Sequence, residues 1–131
     1  MLSARRAESL GERRVKLNEI VEKLSLRNLT LEISGDTRAE VVCGHASDLL
    51  SDVLANAPAG SLLITRHVHM NVLAVAVHAG VVGIIFAASR MPDELVVRKA
   101  TEERVWLYVS KDSAFNIVGK LYALGLRGRH G

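Results

Sequence analysis

Residues 61–90 read SLLITRHVHMNVLAVAVHAGVVGIIFAASR. Two runs here, SLLIT and VVGIIFAA, are continuously apolar, with none of the alternation of a strand that has one wet face. Such runs suit strands covered on both sides, as in a parallel sheet. The segment between them, HVHMNVLAVAVHAG, predicts a nearly all-apolar helix ended by Gly80, so the stretch is a strand–helix–strand crossover.

Downstream the alternation continues. SRMPDELVVRKATEER carries Pro92, Asp93 and Glu94 where a helix begins, and these residue types suit a first turn. VWLYV predicts a strand. KDSAFNIVGKLYALGL predicts a last helix, with Gly125 placed for a left-handed cap and Leu126 for its apolar contact.

Upstream, HASDLLSDVLANAPAG (residues 45–60) predicts a helix capped by Ser47, with Leu49, Leu50, Val53, Leu54 and Ala57 on its apolar face. On that reading Asp48 and Asp52 sit one turn apart on the wet face. EVVCG predicts an extended piece ended by Gly44, SGDT a turn, and NLTLEI a strand alternating Leu29, Leu31 and Ile33. Leu17, Ile20, Val21 and Leu24 form a helical stripe. Residues 1–14 lack periodicity and are expected to be a loose basic arm, before a domain over 15–126 and a basic tail over 127–131. The expected architecture is a three-layer α/β/α sandwich with a mainly parallel sheet.

The chain has 131 residues and a net charge of +3, and the charge is carried at its ends. Residues 1–14 and the tail RGRHG each contribute +2, leaving the body at −1. A near-neutral body with few aromatic residues does not suit nucleic-acid binding. No apolar run is long enough to span a membrane and the start is not a secretory signal. With one cysteine, Cys43, expected to be a small buried thiol, a reducing, cytoplasmic setting is the simplest expectation.

In a parallel sheet ligands gather beyond the carboxyl ends of the strands. Polar residues fall there: Thr65, Arg66, His67 and His69 after one strand, Ala88, Ser89 and Arg90 after the next, Ser110 and Lys111 after the third. His45, His67 and His69 lack the spacing of a metal set, so no metal or cofactor is expected. No phosphate-cradling glycine loop and no nucleophile elbow is present.

ASDLLSDVLANAPAG resembles the strongest block of the DRTGG domain family. The likeness continues in LLITRHVHMNVLAVAVHAG, where Thr65, His69 and Asn71 match, in SRMPDE (Arg90, Pro92, Asp93) and in FNIVGKLYALG. The naming motif departs: GDTRAEVVCG keeps Asp36 and Arg38 but has Val42-Cys43-Gly44 for Thr-Gly-Gly, and Ala88-Ser89 stands for a later Gly-Gly. The resemblance implies a fold similar to the N-terminal domain of HPr kinase and a standalone type found with iron-hydrogenase genes. It further implies a non-catalytic regulatory, ligand-sensing module that dimerises. Its site would comprise Ser47, Asp48, Thr65, His69, Asn71 and Arg90. There Arg90 and the helix start at Pro92 would take an anion or nucleotide, Thr65 and Asn71 would fix it, and His69 would tune binding with pH. Implied partners are a second copy and a hydrogenase- or phosphotransfer-related protein. Two other classes remain open: an assembly factor without ligand, whose dimer face would be the all-apolar helix 69–80, and a small transferase or hydrolase using His69 with Asp48.

Overall fold

The computed structural model describes residues 14–33 and 39–129. The arm over 1–13, the SGDT turn, Asp36, Arg38 and His130 lie outside these residues. The first half contains β1 (Val15–Lys16), α1 (Leu17–Leu24), β2 (Arg27–Asn28), β3 (Glu40–Val41), β4 (Cys43–Ala46) and α2 (Leu50–Asn56). The second half contains β5 (Ser61–Thr65), α3 (Met70–Ala79), β6 (Gly83–Phe86), α4 (Glu94–Glu103), β7 (Trp106–Val109) and α5 (Ala114–Ala123).

Five strands form the main sheet in the order β2-β7-β6-β5-β4, and β1 and β3 pair as a separate antiparallel ribbon. β4 through β7 are parallel neighbours in sequence order. β2 runs antiparallel along β7, with Arg27 opposite Val109. All five residues of β5 and all four of β6 are buried, with Leu62, Leu63 and Ile64 and Ile84, Ile85 and Phe86 as their apolar centres.

Strand side chains alternate between two cores. Leu63, Ile84, Phe86 and Leu107 meet Val53 of α2, Val72, Leu73 and Ala76 of α3, and Val96 and Ala100 of α4. Leu62, Ile64, Ile85 and Tyr108 meet Leu17, Ile20 and Leu24 of α1 and Ile117 and Leu121 of α5. The result is the expected three-layer sandwich. Gly80 ends α3 at φ 77°, where its N–H reaches the carbonyls of Ala76 and Val77; that left-handed turn is one glycine adopts without a Cβ penalty.

Three local expectations need correction. NLTLEI is not a strand beyond Asn28, and Leu31 is 80% exposed. The Asn28 side chain accepts from Thr30 N–H at 2.8 Å, closing a turn that breaks the strand. The buried Thr30 hydroxyl then takes the Leu107 N–H (3.1 Å), a place a strand carbonyl would have filled. EVVCG splits into β3 and β4, which belong to different sheets, and Gly44 lies inside β4. The helix after it starts at Leu50, not at Ser47, and Ser47 is no cap: its hydroxyl accepts from Leu49 N–H at 3.1 Å in a tight turn. Leu49 and Leu54 are therefore exposed, and only Val53 and Ala57 of the expected apolar face are fully buried.

α3 buries Val72, Leu73 and Ala76 between α2 and α4, leaving Val77 as its exposed large apolar residue. The broader exposed apolar stripe is on α5, at Phe115, Val118 and Tyr122. After α5, Arg127 covers the sheet edge, its carbonyl accepting from Gly44 N–H at 2.9 Å. No helix among the described residues is long and apolar enough to cross a membrane.

Candidate functional site

The carboxyl ends of β5 and β6 open onto a shallow depression of about 360 Å³, lined by Asp48, Arg66, His67, Val68, His69 and Arg90. One hydrogen-bonded chain shapes it. Asp48 Oδ1 accepts from the Thr65 hydroxyl and from Arg66 N–H, both at 2.7 Å. The Thr65 oxygen in turn accepts from His67 N–H at 3.0 Å. Thr65 is buried, so its hydroxyl organises the rim from beneath and is committed to Asp48 and His67.

These bonds hold the Asp48 carboxyl below the usual carboxylate range, the Thr65 hydroxyl foremost and the Arg66 N–H next. They also explain why Asp48 leaves the helix. Asp48 and Asp52 do not share a helix face: Asp52 bonds the Asn56 amide (2.8 Å) and His45 Nε2 (2.8 Å) one turn further on. The Asn56 amide first, then Ser47 and His45, hold the Asp52 carboxyl down to about 2.

His69 caps α3, its Nδ1 accepting from Asn71 N–H at 3.2 Å. A neutral ring bonded this way carries its proton on Nε2 and presents a donor, not a base. Asp93 caps α4 by accepting from Val96 N–H at 3.1 Å. The start of α4 thus already holds a carboxylate at its positive end, and the expected anion seat at Pro92 is not free: the helix begins at Glu94. Arg66 and Arg90 have no ion pair among the described residues.

Of the six residues expected to form a site, Asp48, His69 and Arg90 line the depression and Thr65 supports it. Ser47 and Asn71 do not line it. Arg66 and His67 do, and were legible as the residues following β5. Among the described residues no three His, Cys, Asp or Glu side chains gather where they could hold a metal. The Cys43 thiol is buried, and burial pushes its pKa up, opposite to the shift that makes a cysteine reactive.

Ala88 and Ser89 both sit at φ 57°, a conformation that side chains other than glycine enter at a cost of about 1–2 kcal/mol. The loop is held there by Ala88 N–H on Asp112 O and Ser89 N–H on Ser110 O, each 2.8 Å. Ser89→Gly is accordingly expected to raise stability by about 0.5–1 kcal/mol, after the entropy glycine loses on folding. A thermal melt checks it; a lowered midpoint contradicts the strain.

No family model matches the chain, and no curated protein matches it. Among solved structures it superposes on the CBS and DRTGG domains of the regulatory region of Clostridium perfringens pyrophosphatase, complexed with its activator diadenosine tetraphosphate. The TM-score is 0.69 at 13% identity, over 95% of this chain and 51% of that one. The chain spans about half the length of that structure. At this identity the likeness is one of fold, and it supports a DRTGG-like architecture.

Proposed function

We propose that the chain is a non-catalytic regulatory module that senses a small anionic ligand, a nucleotide or a simpler phosphate, at the β5–β6 rim. The observation that carries this reading is the convergence of Arg66 and Arg90, both without ion pairs among the described residues, with His67 and His69 on one depression. The carboxylate lining it among the described residues, Asp48, is occupied by Thr65 and the backbone of Arg66. A guanidinium fork matches phosphate or carboxylate oxygens, and His69 Nε2 adds a donor.

That the fold neighbour was solved with a nucleotide activator supports a sensing role. The engagement of His69 Nδ1 as the α3 cap and of Asp48 with Thr65 favours sensing over a transferase or hydrolase that would use His69 with Asp48. Homodimerisation belongs to the proposal, with the α5 stripe of Phe115, Val118 and Tyr122 as the surface. A hydrogenase- or phosphotransfer-related protein as a further partner, in a cytoplasmic setting, rests on the sequence resemblance alone.

The test is a thermal-shift and calorimetric series with AMP and inorganic phosphate. A ligand at a hundred times its dissociation constant adds about 2.7 kcal/mol of stability, and Arg66→Ser/Arg90→Ser should abolish that gain. Wild-type protein unmoved by either probe defeats the sensing reading, and sedimentation showing a monomer at every concentration defeats the dimer.

A further inference from the structure

The three helices α2, α3 and α4 lie on one face of the sheet, whereas α5, which follows β7, lies on the other. The chain leaving β6 and the chain leaving β7 therefore turn to opposite faces. Where neighbouring parallel strands part in this way, a crevice opens beyond their carboxyl ends, and this is where open α/β sheets bind ligands. The sheet has that opening between β6 and β7, not between β5 and β6.

A cleft of about 440 Å³ occupies the position, within the size range of small-molecule sites. Ser89 and Ser110 line it, just beyond the two strands. Because β2 runs antiparallel to β7, its first residue, Arg27, arrives at the same rim opposite Val109. Lys23 comes from the last turn of α1, Lys111 from the loop after β7, and Lys120 from α5. The carboxylate lining the cleft among the described residues, Asp112, is bonded by Lys120 Nζ at 2.7 Å. Lys23, Arg27 and Lys111 have no ion pair among the described residues. The carbonyl end of α1 also faces this side, but Ser25 and Leu26 N–H groups already occupy Glu22 O and Val21 O. Leu24, Met91 and Val109 supply apolar wall.

Three cations without an ion pair among the described residues, converging from three elements around an apolar wall, match a ligand with several phosphate charges and an apolar body. We propose that this cleft binds an organic polyphosphate, as a second anion site beside the rim depression. The 88–91 loop divides the two: Ser89 and Met91 line the cleft, and Arg90 lines the depression.

Titration calorimetry of the full chain with tripolyphosphate and with ATP tests the assignment. Both should bind, more weakly as salt rises, with ATP the tighter because its nucleoside reaches Leu24, Met91 and Val109. Arg27→Ser/Lys111→Ser should weaken both by about tenfold or more, while Arg66→Ser/Arg90→Ser leaves them within about twofold. Amide shifts of wild-type protein at Ser89, Ser110 and Lys111 on adding tripolyphosphate give the same reading without a variant. Wild-type protein that binds neither probe overturns the proposal, as does equal loss of binding in the two double variants. ATP no tighter than tripolyphosphate overturns the apolar part of the assignment. Loss of AMP or phosphate binding at Arg66 and Arg90 bears on the rim depression alone, so the two readings fail separately.

Discussion

Replacing Phe86 by alanine is expected to remove about 3–5 kcal/mol of folding stability. The ring is wholly buried at the end of β6, among the side chains that α2, α3 and α4 press onto the sheet. Its loss leaves a cavity in the layer that three crossovers share, and neighbours fixed on a sheet relax little to fill it. A domain of this length is stabilised by about 5–15 kcal/mol in all, so the urea midpoint should fall steeply at an unchanged slope. Leu31 is the internal control: it is 80% exposed and lies outside the α5 stripe, and its replacement by alanine should stay within about 0.5 kcal/mol. Comparable losses at Phe86 and Leu31 would refute the placement of the core.

The second half of the fold was legible because its signals are strong and agree with one another. In residues 61–126, apolar runs too long and continuous for a half-wet strand alternate with helices that carry their own stops, and β5 through α5 appear where that pattern puts them. The first half was less legible because short polar side chains there bond to backbone and redirect the chain. Asn28 ends β2 early despite the alternation of Leu29, Leu31 and Ile33. Asp48 is a good helix-start residue, yet two donors at the end of β5, seventeen and eighteen residues on, draw it away. No local pattern reports such a distant partner.

The same limit governs the candidate site. Asp48, Thr65, His69 and Arg90 were nameable from sequence, but their division of labour was not: Thr65 and Asp48 proved to be the frame, and Arg66 joined Arg90 as the exposed charge. The cleft was within reach as Ser110 and Lys111. Its cationic wall depends on Lys23 and Arg27, which only the antiparallel edge strand and α1 bring to that rim.

Asp48→Ala should cost about 1–2 kcal/mol at neutral pH. Two hydrogen bonds to a carboxylate are lost and the buried Thr65 hydroxyl loses its acceptor, though exposure of the carboxylate itself trims the loss. Asp48→Asn keeps an acceptor oxygen and should cost less. The pH dependence separates the charge from the contact. The folded state holds this carboxyl below its ordinary value. Its contribution is therefore complete above the unfolded-chain value of about 4 and is lost as pH falls through the lower folded value. Urea unfolding across that acid range should show the gap between wild type and Asp48→Ala narrowing as pH drops, whereas a gap that is constant or widens would mean that the ionised carboxylate is not what holds the rim. Asp52→Ala is the comparison at the neighbouring acid: it removes the bonds to His45 and Asn56 but leaves the Thr65–Arg66–His67 backbone clamped. Removing the Asp48 charge while keeping its acceptor also takes a repelling group from beside Arg66. Asp48→Asn should then bind phosphate more tightly than wild type, a gain in binding from a loss in stability that follows only if the frame and the anion seat are different groups on the same rim.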